Sequence, residues 1–202
     1  VVTFSETVFV TGTPQLTLET GSTDRVVNYS SGDGTDKLYF QYTVQAGDTA
    51  ADLDYKATGS LALNSGTIKD AAGNAATLTL AAPNATNSIS DNQAIVVDTT
   101  APVFSTNGLA TAIAENSGAG QVVYTATADG DTDVTYTLKT SGDGSLFSIN
   151  ASTGAVTLTG DPNFEAKPEY DFTVVATDGA GNATDQDVTL VITNVDDAAP
   201  VF

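Results

Sequence analysis

Apolar and polar residues alternate along much of the chain, in short runs rich in Val, Thr, Tyr and Phe. Leu38-Tyr-Phe-Gln-Tyr-Thr-Val44 is one such run. Residues 122–126, Val134-Thr-Tyr-Thr-Leu138 and Tyr170-Asp-Phe-Thr-Val-Val-Ala176 are others. A period of two puts every second side chain on one face, so each run predicts a strand with one buried side. Phe147-Ser-Ile149 and Val156-Thr-Leu158 flank Ser152-Thr-Gly154, which predicts a hairpin. Gly, Asn, Asp and Pro clusters punctuate the runs. No long stretch repeats at helical spacing, and only residues 49–55 have room for a single helical turn. The pattern predicts an all-β fold.

The chain also repeats itself. Asp98-Thr-Thr-Ala-Pro-Val-Phe104 returns as Asp196-Asp-Ala-Ala-Pro-Val-Phe202, a spacing of 98 residues and the size of one β-sandwich. Asp70-Ala-Ala-Gly-Asn74 returns as Asp178-Gly-Ala-Gly-Asn182, and each copy leads into an apolar run, residues 75–80 and 188–192. This second echo has an offset of 108, so the two halves share a plan without being close copies. The expected division is two domains, 1–100 and 101–202, joined by a short linker that Pro102 stiffens.

Composition then narrows the chemistry. Six basic residues face 25 acidic ones, for a net charge of −19. Nucleic-acid phosphates and anionic membranes would repel such a chain. A compact acidic protein also repels itself unless cations intervene, and a divalent metal is the obvious counter-ion; an acidic, soluble surface protein without a specific metal fits the composition too. Cys, His, Met and Trp are absent. Disulfides, Cys-ligated metals and the commonest general base go with them. No apolar run reaches the ~20 residues of a membrane span. The chain opens at Val1 without a signal peptide and reads as a segment of something longer.

The acidic residues fall in loops and at strand ends. Asp129-Gly-Asp131 and Asp133 share a turn, Asp178 follows a strand, Glu115 opens the second half, Glu165 sits mid-domain, and Asp196-Asp197 lie near the end. Ca²⁺ takes six to eight oxygens from carboxylates, carbonyls and Asn. No short stretch supplies that many, so a site would have to be assembled from several loops. The same residues are ordinary turn formers, and spacing does not separate the two readings.

Residues 101–202 resemble a cadherin repeat. The matching segments are Pro102-Val-Phe104, Ala114-Glu-Asn116, Asp129-Gly-Asp131, Phe147-Ser-Ile149 with Thr153-Gly154, Asn163-Phe-Glu165, Val174-Val-Ala-Thr-Asp178, and Asn194-Val-Asp-Asp197 with Pro200-Val-Phe202. The resemblance implies Ca²⁺ at domain junctions. It assigns Glu115, Glu165, Asn194, Asp196 and Asp197 to the junction after this domain, and Asp129, Asp131 and Asp178 to the junction with residues 1–100. Asn163 and Asn194 stand where the pattern has Asp, and Ala198 where it has Asn, which implies fewer ions after this domain. Residues 1–100 resemble a bacterial immunoglobulin-like domain of repeats-in-toxin-type giant adhesins, through Val8-Phe-Val-Thr-Gly-Thr-Pro14, Gly66-Thr-Ile-Lys-Asp-Ala-Ala-Gly-Asn74 and Val97-Asp-Thr-Thr-Ala-Pro102. By position Glu6 then mirrors Glu115, Asp98 mirrors Asp196, Asp52 or Asp54 mirrors Glu165, and Asp70 mirrors Asp178.

Together these readings imply two tandem immunoglobulin-like/cadherin-like β-sandwich (Greek-key) domains joined end to end. The function expected is that of a Ca²⁺-rigidified, extracellular, bacterial cell-surface adhesin segment, acting as a spacer and in adhesion rather than as an enzyme. Its expected partners are neighbouring domains of the same long chain and other cell-surface or adhesin molecules, with the fragment itself monomeric. The alternative is a sugar- or peptide-binding module, carried by the loop Asn28-Tyr-Ser-Ser-Gly-Asp-Gly-Thr-Asp36 with Tyr29 stacking on a ligand. A glycosidase needs a carboxyl pair in an apolar, pKa-raising setting, and no pair is so marked. An ice-binding surface needs a regular Thr array, which the scattered Thr residues do not form.

Overall fold

The computed structural model of the chain describes residues 1–129 and 133–196. The chain divides into two compact units, Val1–Thr99 and Thr100–Phe202, and both are built from strands. Asp131 and Asp197 lie outside the described residues.

The first unit holds β1 (Val2–Thr11), β2 (Gln15–Glu19), β3 (Arg25–Ser31), β4 (Thr35–Phe40), β5 (Asp54–Tyr55), β6 (Leu61–Ala62) and β7 (Thr67–Lys69). They form one curled sheet in the order β5-β2-β3-β4-β1-β7, with β6 also on β2. Alternation decides what each strand buries: Leu16 and Leu18 of β2 enter one cluster with Val27, Leu53, Tyr55, Leu61 and Val97. Val8, Leu38 and Ile68 form a second.

Four local expectations change here. The run from Leu38 stays in the sheet only to Phe40, because Tyr42 and Gln45 are drawn off by the carboxylate of Asp48. Residues 49–55 form no helical turn; Ala50 bridges Val97, and Asp54–Tyr55 pairs with β2. The one α-helical turn among the described residues of this unit is α1 (Ile89–Asn92), capped by Ser88, whose side chain accepts from the Asp91 N–H. Residues 75–80 run with alternating exposure but join the sheet only through the Lys69–Ala75 bridge. The loop expected over residues 28–36 is mostly strand. Tyr29 lies in β3, edge-on to Phe40 with ring centroids 6.3 Å apart, so it is half-buried packing and not a free stacking platform.

The second unit is a two-layered sandwich. One layer is β12 (Thr135–Leu138), β15 (Glu169–Thr177), β16 (Ala183–Thr193) and β9 (Ile113–Ala114), in that order. The other is β10 (Gln121–Thr125), β14 (Ala155–Leu158) and β13 (Phe147–Ile149), while β8 (Val103–Phe104) pairs with β11 (Ala128–Asp129). The β13–β14 hairpin forms where expected, with Ile149 opposite Val156. Val174, Leu190, Ile192 and Val156 meet in one core, crossed by a stack in which Phe147 lies 4.3 Å from Phe172, centroid to centroid. β9 runs parallel to β16, Ile113 facing Ile192, whereas the other strand pairs of this unit are antiparallel.

Candidate metal sites in the loop clusters

The parallel pairing of β9 with β16 carries Glu115 to the end of the sandwich, where its N–H donates to the Thr193 carbonyl at 3.1 Å. The Glu115 side chain is only 2% exposed. One oxygen accepts from the Val195 N–H at 2.8 Å and the other from the Phe164 N–H at 2.9 Å. These two backbone donors, Val195 first, hold the carboxyl below the usual glutamate range against the opposing effect of burial, and the Glu165 side chain adds to them. The Asn194 amide donates to Glu165 at 3.1 Å. Glu115, Glu165 and Asn194 therefore come together, with exposed Asp196 two residues on.

At the other end of the nine-residue β15, roughly 30 Å away at ~3.3 Å per residue, lies Asp178. It is 5% exposed and accepts from the N–H groups of Ala180 and Asn182 and from the Asn182 side-chain amide. Burial pushes this carboxyl up, but the Asn182 side chain and the loop N–H groups outweigh it, and the net direction is down. Thr135 pairs with Thr177, which brings the start of β12 to the same end, and a Cβ on Gly179 would sit 3.7 Å from that of Asp133. β11 sets exposed Asp129 opposite Val103, close after the point where the chain enters this unit. Asp129, Asp133 and Asp178 thus belong to one end of the second unit, and Glu115, Glu165 and Asn194 to the other.

Both clusters offer only oxygen donors, which suits a hard cation such as Ca²⁺ and excludes soft-metal preference. Among the described residues no group of three or more Asp, Glu, His or Cys side chains converges. An ion at either end would draw its remaining oxygens from Asn, backbone carbonyls or water. Glu115 bears most directly on the fit: a buried, ionised carboxylate with a second carboxylate beside it is a donor set that a cation completes.

In the first unit the Asp70–Asn74 loop copies the Asp178–Asn182 loop bond for bond. In each, the Asp N–H donates to the Asn carbonyl at 3.0 Å and the Asn N–H returns to the Asp carboxylate at 2.8 Å. In each, the Asn amide closes on the second oxygen, and a glycine, Gly73 or Gly181, takes a φ near +90° as 91° and 93°. Glu6 and Asp54 differ from the positions they mirror. Exposed Glu6 has no clamp like that of Glu115, and it lines a cavity with Asp70 and Asn74 instead of standing at the far end from them. Asp54 is a correction. Its oxygens accept from the N–H groups of Tyr55, Ile89 and Asn84 and from the Ser90 hydroxyl. Four donors fill the four lone-pair positions of a carboxylate, so Asp54 anchors the loop before α1 and has none left for a metal. Asp98 is half-buried and follows Val97.

Sequence reasoning missed Asp48. It has no exposed surface and accepts from Arg25 Nε at 2.6 Å, Tyr42 Oη at 2.6 Å and Gln45 N at 2.9 Å. Its backbone carbonyl takes the hydroxyl of Thr99, which also accepts from the Gly47 N–H. The available signal was that Arg25 is the single arginine of the chain.

The Cadherin domain family matches residues 110–196. Protocadherin Fat 4 of Mus musculus is 34% identical over 108 residues, covering 50% of this chain and 2% of that protein. Protein dachsous of Drosophila melanogaster is 30% identical over 111 residues, covering 50% of this chain and 3% of its own length. The chain therefore spans a very small part of the curated relatives it matches. Among solved structures it is similar to Drosophila N-cadherin EC1-3, with 20% identity, a TM-score of 0.43, and coverage of 95% of this chain and 56% of that one. It is also similar to human protocadherin-24 EC1-2, with 20% identity, a TM-score of 0.45, and coverage of 50% and 47%. The relatives named are animal proteins, so they lend no support to the bacterial setting. Cadherin domains are extracellular, non-enzymatic adhesion modules, and the second unit of this chain is a cadherin-like repeat.

Proposed function

We propose that the chain is a Ca²⁺-stiffened extracellular spacer in an adhesion protein, with ions held at the ends of its cadherin-like unit. One observation carries this reading: Glu115, buried and ionised, tethers the loops at one end of that unit, with Glu165 and Asn194 beside it. At that end Glu115, Glu165, Asn194 and Asp196 are the proposed ligands, with Asp197. At the other they are Asp129, Asp178 and Asp131; Asp98 is a further proposed ligand. Each end is proposed to share its ions with the neighbouring domain of a longer chain. Bound Ca²⁺ supplies positive charge that holds together loops whose carboxylates otherwise repel. The giant bacterial adhesin setting is proposed from segments of residues 1–100 alone.

Binding to the folded state stabilises by linkage, about 2.7 kcal/mol at 100 times Kd, and extracellular modules bind Ca²⁺ at roughly 10⁻⁴–10⁻³ M. Scanning calorimetry of the whole chain in millimolar Ca²⁺ should show a higher melting transition than in EDTA, and equal Mg²⁺ should do much less. Identical transitions in Ca²⁺ and EDTA sink the proposal. Glu115→Gln should weaken the effect; if it leaves the Ca²⁺ response intact, the assignment of that end is wrong.

A further inference from the structure

Two stretches of backbone in the first unit lie extended without a ladder. The register of β1 against β4 jumps from Thr3–Lys37 to Val8–Thr35, so residues 4–7 bulge out of the pairing, and β7 joins β1 only from Phe9 onward. Residues 77–79 alternate in exposure as a strand does, with Thr77 and Thr79 outward and Leu78 inward. The flanking Ala76 and Leu80 N–H groups donate to Ile68 and Thr58, while Thr77 and Thr79 make no backbone bond among the described residues. Backbone groups point to opposite sides at successive strand positions, so the free groups of Thr77 and Thr79 aim away from those partners.

These stretches wall one cleft. A cavity of about 940 Å³ is lined by residues 1–4 and residues 77 and 79–81, with buried Leu16, Tyr55 and Leu61 as its floor. A second cavity, of about 370 Å³, shares Thr3, Phe4 and Thr77 with it and ends at Glu6, Asp70 and Asn74. The cleft is apolar below, edged by unpaired main chain, and acidic at one end. The Asp70 carboxyl stays ionised there, held down by Asn74.

We propose that this cleft receives an extended peptide strand from a partner protein. The strand pairs its main chain with the free edges. It places apolar side chains at every second position over Leu16 and Leu61, and it carries Lys or Arg where it passes Glu6 and Asp70. An extended peptide fits because it brings N–H and C=O groups to unladdered edges while alternate side chains fill the floor. The charge of the cleft end sets the sign of the terminal residue.

The test uses the whole chain and two capped nonapeptides of alternating Val and Thr, one with Lys at its N-terminus and one with Lys at its C-terminus. Hydrogen exchange followed by NMR should slow at the amides of residues 4–7, 77 and 79 on saturation with one of them, and the second unit should not respond. Thr79→Pro removes a donor that no bond among the described residues uses; it should leave the melting temperature in place and weaken the peptide about tenfold, one backbone hydrogen bond's worth. Glu6→Lys should turn the preference towards a peptide ending in Glu. Absence of protection at millimolar peptide overturns the proposal, as does binding indifferent to Thr79→Pro. Protection of these amides that rises with protein concentration alone overturns it too, because the occupant is then a second copy of the chain.

Discussion

Asp48 shows how an acidic residue is kept charged inside a protein of this composition. Burial pushes its carboxyl up, but Tyr42, the Gln45 N–H and Arg25 together pull it lower than a free aspartate. The same bonds act in reverse on Tyr42, whose phenol is raised to about 12, first by burial and then by Asp48. The two shifts set opposite limits. Asp48, Asp54 and Asp143 all have lowered values, so they stabilise the fold above the unfolded carboxyl pKa of ~3.9 and lose that contribution as pH falls through their folded values. Tyr42, being raised, stabilises fully below ~10 and loses its share as pH climbs from there towards 12. Thermal melts should therefore be flat from about pH 5 to 9 and fall on both sides, and Tyr42→Phe should flatten the alkaline side. Asp54→Ala strands the buried N–H of Tyr55 and the part-buried N–H groups of Asn84 and Ile89, and should cost about 1–3 kcal/mol by denaturant unfolding, with or without Ca²⁺. An unchanged midpoint would return Asp54 to the list of free carboxylates. Such roles are invisible in a sequence because Asp52 and Asp54 are the same residue on either side of Leu53. What separates them is that Asp54 accepts from the N–H groups of Tyr55, Ile89 and Asn84, whereas exposed Asp52 accepts from that of Ile95.

Among elements, the strands that read most clearly pair with a sequence neighbour. The run at β15 and the β13–β14 hairpin showed themselves because alternation and a turn signal suffice to describe them. The β13–β14 turn depends on Gly154, whose φ is +68° and where a Cβ would stand 2.3 Å from the Ala126 carbonyl oxygen. Gly154→Ala should cost more than ~1 kcal/mol, measured by urea unfolding; a neutral substitution would mean that the hairpin relaxes freely. Residues 41–44 and 75–80 carry the same alternation as true strands but do not form them. The first is diverted by hydrogen bonds to Asp48, and the second meets a single bridge partner. Period reports which face is apolar, not whether a neighbouring backbone lies within reach. The paired Asp-to-Asn loops were legible for a different reason, since a five-residue motif with one glycine at positive φ closes on itself and needs no distant partner.

At the scale of the whole molecule, the charge of −19 is the dominant long-range term. Lys139 and Lys167 are the only basic residues after Thr100, and each already meets an acidic partner, Asp185 and Asp143. Raising salt shortens the Debye length from ~30 Å at 0.01 M to ~8 Å at 0.15 M, so in EDTA the melting temperature should climb with NaCl over that range. A salt response equal to that given by Ca²⁺ at a hundredth of the concentration would argue for specific sites over screening; no response at all would mean that self-repulsion is already relieved. The parallel contact of β9 with β16 has a mechanical consequence. From Gly108 to Glu115 the entering segment is fastened along residues 189–193 of the last strand, through Thr189, Ile192 and Thr193. A pull on the two ends of this unit drags those parallel segments lengthwise in opposite directions. The bonds share the load and break together instead of unzipping one by one. In the first unit, Val97 near the exit is joined to Ala50 by an antiparallel bridge. Stretched in single-molecule force spectroscopy, the chain should yield in two steps, the first unit at the lower force and the cadherin-like unit last.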